Sequence, residues 1–277
     1  MVLWLLLLQV WGTCLWLGHC ELVTSFPCSY CPFFFWNTPP NNALEPDNPA
    51  WICQRYKNRY HYATLYDRDL RIPVYSAYMY QPGPGRRPTP PWMLEPQLIN
   101  QTYSKDMDTE ENLMKKYKVS KEQIKQTQTV DEDYGNLTDL ERGHLNPSGH
   151  QNNPNSRIAT FTLTNIVPQN RELNQGAWRN YEEQTMAQNN QFCKLTFVIV
   201  GAVPGNTYIA SGRVNVPSHI WSAACCKTTT HMKTWAGIAR NDEDQVEILT
   251  LGELEARLGP LYKRGSVLLF HKSCPRK

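Results

Sequence analysis

The sequence predicts an α+β protein built on a mostly antiparallel sheet, and three observations carry that expectation. Tyr62–Tyr66 and Ile72–Tyr80 are rich in β-branched and aromatic residues and flank Asp67-Arg68-Asp69, which reads as a hairpin turn. Cys193–Val200 is a dense apolar run of strand length ending at Gly201, as a buried central strand requires. The helical stretches are few and scattered among the strands, without the regular alternation of a parallel doubly wound sheet.

Taken in order, residues 21–56 are rich in Pro, Asn, Cys and aromatics and read as an irregular N-terminal arm pinned by disulfides, ahead of a main domain over 57–277. Gln81–Pro91 is a Pro/Gly loop. Residues 104–133 are highly charged, with helical stretches at Glu110–Tyr117 and Ser120–Lys125, and read as a solvated surface insertion. Arg157–Val167 alternates, with Ala159, Phe161 and Leu163 on one side and Thr160, Thr162 and Thr164 on the other, the pattern of a half-buried strand ending near Asn165. A helix is expected from Ala177 onward, with Asn174 at its mouth as an N-cap. Val214–Ile220 leads to Trp221 and the cysteine pair, and Trp235–Ala239 and Val246–Leu249 read as further strands. Leu251–Leu258 has helical spacing with Gly259 as its stop, and Val267–Phe270 reads as a last strand.

The N-terminus bears on compartment. Val2–Leu17 is almost wholly apolar, and no charged side chain precedes Glu21, so residues 1–20 read as a secretory signal peptide cut ahead of Glu21, with an uncleaved anchor as the rival reading. No later segment is apolar enough to cross a bilayer. Seven cysteines follow residue 20: Cys28, Cys31, Cys53, Cys193, Cys225, Cys226 and Cys274. Disulfides are expected in a secreted, extracellular chain, and the odd number leaves one thiol free or available for an intermolecular bond. Cys28-x-x-Cys31 lacks the second half that a zinc site needs. Asn100-Gln101-Thr102 and Asn136-Leu137-Thr138 are glycosylation sequons in that compartment. A net charge of +3 announces no strong nucleic-acid footprint, although a local basic cleft is compatible with it.

Chemistry concentrates in Glu141-Arg142-Gly143-His144-Leu145-Asn146-Pro147 and the segment after it. An imidazole titrates near neutrality and can take a proton from water, and a guanidinium two residues away can hold a phosphate. Asn174, Trp178 and Glu182 follow at helical spacing of four. An amide oxygen is a hard ligand suited to magnesium, which keeps most of its waters. On a straight helix Glu182 would lie roughly 12 Å along the axis from Asn174, too far to share an ion directly but able to hold a metal-bound water.

In order and spacing, Arg142-Gly143-His144, Thr164-Asn165-x-x-Pro168-Gln169, Leu173-Asn174-Gln175-Gly176-Ala177-Trp178 and Glu182 resemble the DNA/RNA non-specific endonuclease family, whose members share a ββα-metal core. Pro73–Tyr78, Ala159–Asn165 and Trp221–Cys226 resemble its vertebrate endonuclease domain-containing 1 branch. The resemblance covers roughly residues 50–270. It implies a metal-dependent endonuclease of low sequence specificity, meeting DNA or RNA through the phosphate backbone. It implies His144 as general base, Asn174 as the protein ligand of Mg2+ (or Mn2+ or another divalent cation) and Glu182 as holder of the ion's water shell. Arg142 would be the arginine of the active-site motif, and Asn165 an active-site asparagine that positions groups.

Three positions depart from the family pattern. Glu141 stands where members carry Asp, and Met79 and Met186 stand where arginines are found. Two lost cations would weaken stabilisation of transition-state charge, with Arg71, Arg157, Arg171 and Arg179 as possible replacements. They define the alternative, a secreted nuclease-fold protein of weakened turnover that acts by binding.

Overall fold

The computed structural model describes residues 22–23, 25–26 and 31–277. The expected signal segment and Cys28 therefore lie outside the described residues. Strands β1 (Leu22–Val23), β2 (Pro49–Tyr56), β3 (Arg59–Asp67) and β4 (Ile72–Met79) are successive antiparallel neighbours. A short pair, β5 (Met93–Leu94) and β6 (Asp108–Thr109), and a separate ribbon, β7 (Leu140–His144) with β8 (Ile166–Asn170), follow. The chain re-enters the sheet with β9 (Leu195–Val203) and makes a small hairpin, β10 (Thr207–Ile209) and β11 (Val214–Val216). It closes the sheet with β12 (His219–Lys227), β13 (Met232–Arg240) and β14 (Glu247–Leu249). The eight-stranded sheet has the order β1-β2-β3-β4-β9-β12-β13-β14 and is antiparallel throughout. The α+β expectation, the first hairpin and the central strand are thereby met. Asp67 makes the hairpin turn by accepting hydrogen bonds from the Asp69 and Leu70 amides, each 2.9 Å.

Both faces of the sheet are buried, so its central strands lack polar alternation. Val198, Val200 and Ala202 of β9 face one core, and Phe197 and Ile199 face the other. Adjacent residues on a strand point to opposite faces, which explains the neighbouring cysteines of β12. Cys226 bonds Cys193 on one side, and Cys225 bonds Cys274 on the other. Cys31–Cys53 ties the arm to β2. The six described cysteines are thus all paired.

The first core is roofed by the β7–β8 ribbon and by helices α1 (Pro96–Ile99), α2 (Glu110–Tyr117), α3 (Lys121–Lys125) and α4 (Pro154–Ala159). Helices α5 (Arg171–Gln175), α6 (Ala177–Asn180) and α7 (Met186–Asn189) complete that side. The second is covered by the arm, helix α8 (Leu251–Tyr262) and the C-terminal segment.

Five sequence expectations change. Residues 49–56, read as part of an irregular arm, form β2. The charged insertion is more than a solvated surface, because Leu113, Ile124 and Val130 are fully buried in the first core. Arg213 ties it down through Asp133 (3.1 Å) and the Lys125 carbonyl (2.8 Å). Arg157–Val167 is no single strand, only Ile166 and Val167 entering β8: Asn153 caps α4 with Pro154 at its first turn, and Thr160, Thr162 and Thr164 are all buried. Thr162 and Thr164 donate inward to Glu95. Helix α8 runs past Gly259 and through Pro260 before Lys263 ends it in a left-handed conformation. Val267–Phe270 is irregular, held by a pair of bonds exchanged between Leu268 and Asn41 and by the Leu269 amide on Glu255 rather than by a ladder.

Candidate active site

The ribbon and the helices after it form a ββα unit beside a cleft of about 1000 Å³. His144 ends β7 opposite Ile166. The preceding residue has to be glycine, because a Cβ at Gly143 would sit 2.1 Å from the Gln169 side-chain oxygen. The His144 ring is 8% exposed and walled by Trp92 and Phe161, with centroids at 5.4 and 5.0 Å. Burial, helped by the charge of Arg87, lowers its pKa to about 3. The imidazole is therefore neutral at physiological pH, and its Nε2 has no hydrogen-bond partner among the described residues.

Asn174 lies across the cleft, inside α5, where Asn170 rather than Asn174 caps the helix. The helix breaks at Gly176, whose φ and ψ are −102° and −111°. A Cβ there would meet a carboxylate oxygen of Asp244 at 2.4 Å, and that same oxygen accepts from the Ala177 amide at 2.6 Å. The resumed helix passes through a π turn, Tyr181–Thr185, which holds Glu182. Trp178, Asn174's neighbour at i+4, donates from Nε1 to Glu182 at 3.0 Å. Glu182 is partly exposed to the cleft, yet its carboxyl is enclosed enough that burial raises its pKa to about 8 against the Trp178 bond.

Glu141 turns its extra methylene to use. One carboxylate oxygen accepts from Asn174 Nδ2 at 2.7 Å and the other from Gln175 at 3.0 Å. This fixes the Asn174 amide, whose Oδ1 accepts no bond from the described residues. Arg142 lies over Trp92 at 5.0 Å and Tyr134 at 5.5 Å and pairs with Asp131 at 2.9 Å. His150 supports the site from behind, bridging Tyr78 at 2.9 Å and the Glu182 carbonyl at 3.0 Å.

His144, Arg142, Asn174 and Glu182 thus share one cleft. Asn165 does not reach it. Fully buried, it accepts from Ser76 and the Asn146 amide and donates to the Asn146 and Thr160 carbonyls. Every bonding position of its amide is occupied inside the protein, so it holds the loop after His144 instead of touching substrate. The two methionines are also turned away. Met79 packs toward the second core, and Met186 is buried against Trp235, whose Nε1 donates to its sulfur at 3.1 Å. Sequence reasoning missed Arg87 and Trp92 as cleft-wall residues and Phe161 as the ring packed on His144. The Arg86-Arg87 pair inside a Pro/Gly loop was the available signal for the first.

The side chains present suit a hard divalent cation. A fixed amide presents a free oxygen, and a nearby carboxyl becomes an acceptor on ionising. Among the described residues no three His, Cys, Asp or Glu side chains converge as a cage, so an ion here would rest on Asn174 and keep most of its waters.

The family profile for DNA/RNA non-specific endonucleases matches residues 39–257, and the chain belongs to that family. Human endonuclease domain-containing 1 protein is 31% identical over 200 residues, covering 70% of this chain and 38% of that protein. The mouse protein of the same name is 29% identical over 235 residues, covering 82% and 45%. The chain therefore spans less than half the length of either relative. A chain in the crystal structure of the EndoG/EndoGI complex aligns with a TM-score of 0.49 and 17% identity, covering 72% of this chain and 81% of that one.

Proposed function

We propose that this protein is a secreted, metal-dependent endonuclease that hydrolyses phosphodiester bonds of DNA or RNA with low sequence specificity. The observation that carries the reading is a neutral imidazole, its Nε2 buried and unpartnered, in the wall of a cleft that also holds a fixed amide oxygen and a carboxyl. In this reading His144 takes the proton of a water molecule as the water oxygen bonds to phosphorus and the bond to the leaving oxygen breaks. Its aromatic walls exclude competing water and keep the ring unprotonated. Asn174 would hold the divalent cation, which supplies charge stabilisation to the phosphate and the leaving oxygen. Glu141 orients Asn174, and Glu182 would anchor the ion's water shell. Arg142, in the motif, adds positive potential beside the base.

Two further features support the setting. Three disulfides suit an oxidising compartment, and no helix of the described residues is long and apolar enough to cross a membrane. We assign residues 1–20 to a cleaved signal and place the boundary of the nuclease domain ahead of residue 57, because β2 (Pro49–Tyr56) belongs to its sheet and the family match begins at residue 39.

The test is nicking of supercoiled plasmid and degradation of RNA by the purified protein, with and without magnesium. Magnesium-dependent cleavage that falls by about 10²- to 10⁴-fold in His144→Ala is expected. A folded protein that cuts neither substrate with magnesium, manganese or calcium would leave the binding-protein alternative.

A further inference from the structure

Five arginines line the cleft, and most are already committed. Arg142 is paired with Asp131, and Arg179 with Glu183. Arg157 is spent on the Gln151 and Gly83 carbonyls. Arg87 and Arg171 have no acidic partner among the described residues. These two differ in one respect: the charge of Arg87 acts on both His144 and Glu182, whereas Arg171 is not among the influences on either.

Arg87 is presented by a built support. Its guanidinium lies 5.5 Å from the centre of the Phe161 ring, the same ring whose edge meets His144. The loop that carries it is anchored at its start by the Gln81 amide on the His150 carbonyl (2.9 Å) and by Arg157 on Gly83. Prolines at 82, 84, 88, 90 and 91 restrict the rest. A guanidinium stacked on an aromatic face keeps its donors directed outward along its plane, the geometry that suits two phosphate oxygens.

Resting on the nuclease reading, we propose that Arg87 grips the scissile phosphate beside His144, so that the Gln81–Pro91 loop supplies the cation that the family pattern places at the Met79 and Met186 positions. Met186 is fully buried and half-buried Met79 packs against the second core, so neither position turns a side chain to the cleft. In this chain the phosphate contact comes from a different element, and turnover depends on that loop.

The experiment compares wild type with Arg87→Gln, Arg87→Lys and Arg86→Gln, each checked for an unchanged melting temperature. Single-turnover cleavage of a defined oligonucleotide in magnesium is measured, together with the salt dependence of DNA binding in EDTA. Arg87→Gln is expected to slow cleavage by about 10²- to 10³-fold. Its binding slope, log K against log salt, should fall by about one. Arg87→Lys should recover the slope but only part of the rate, because the charge remains and the fork is lost. Arg86→Gln, outside the cleft wall, should cleave at the wild-type rate. Wild-type rate and slope in Arg87→Gln would overturn the proposal. So would a rate loss with an unchanged slope, which would mean that Arg87 acts through His144 instead of on phosphate. If wild type does not cleave, the nuclease reading fails, while the binding slopes still decide whether Arg87 meets phosphate.

Discussion

His144 owes its neutral state to its walls, and that has a consequence for stability. An imidazole that titrates at about 3 in the fold, against 6.5 ordinarily, binds a proton on unfolding throughout that interval. Its contribution is therefore complete above about pH 6.5 and is lost as the pH falls toward 3. His150, lowered to about 4 by burial, has the same sign. Glu182 has the opposite sign: with its pKa raised from 4.5 to about 8, the fold retains a proton that the unfolded chain releases, so stability declines as pH rises through that window. In EDTA, His144→Gln should flatten the acid side of a melting-temperature profile. Glu182→Gln should raise the melting temperature at pH 8 more than at pH 5. Parallel profiles for all three proteins would contradict these assignments. The family resemblance made His144, Asn174 and Glu182 legible in the sequence, where their spacing alone fitted a helix cap and an exposed carboxylate equally well. Arg87 was not, because a loop has no periodicity from which to infer what its side chains face. Asn165 was expected to position groups, and what the sequence does not reveal is that its amide does so by saturating its bonds to Ser76, Asn146 and Thr160.

The short helices decide how Asn174 and Glu182 are aimed into the cleft. The sequence read Asn174, Trp178 and Glu182 as one helical face. The structure inserts a break at Gly176, capped from outside by Asp244, and a π turn at Glu182. Neither is visible in local propensity, because one partner lies 67 residues away. The Asn-Pro start of α4 was readable, yet the apolar/threonine alternation after it suggested a strand. The threonines turn inward because buried Glu95 gives them a partner. Glu141 joins the two elements of the site, spanning from β7 to α5. Glu141→Ala removes the acceptor that fixes Asn174, and magnesium affinity should fall by about 10- to 100-fold, read as a shift in the magnesium concentration that raises the melting temperature. An unchanged magnesium response would show that the Asn174 amide needs no such support.

At the scale of the whole molecule, one sheet buried on both faces separates the chemistry from its scaffold. One face carries the ββα unit and the cleft, and the other carries α8, the arm and the C-terminal segment. The α+β class was legible because long apolar runs such as Cys193–Val200 can satisfy only a doubly covered strand. Disulfide connectivity was not legible, because it depends on which face each cysteine takes. The pair at 225 and 226 sends one bond to each layer, so the helices that carry Asn174 and Glu182 and the opposite C-terminal segment are stapled to the same strand. The sequence placed the two methionines at lost-cation positions, and only packing reveals that neither side chain faces the cleft.

The central claim is that His144 takes the proton from the attacking water, and imidazole rescue tests it most directly. Removing the ring in His144→Gly opens a space between Trp92 and Phe161 that dissolved imidazole can enter. With magnesium present, the variant should be nearly inert toward supercoiled plasmid and should regain cleavage in proportion to the concentration of neutral imidazole. A variant that cuts at the wild-type rate without imidazole would contradict the account.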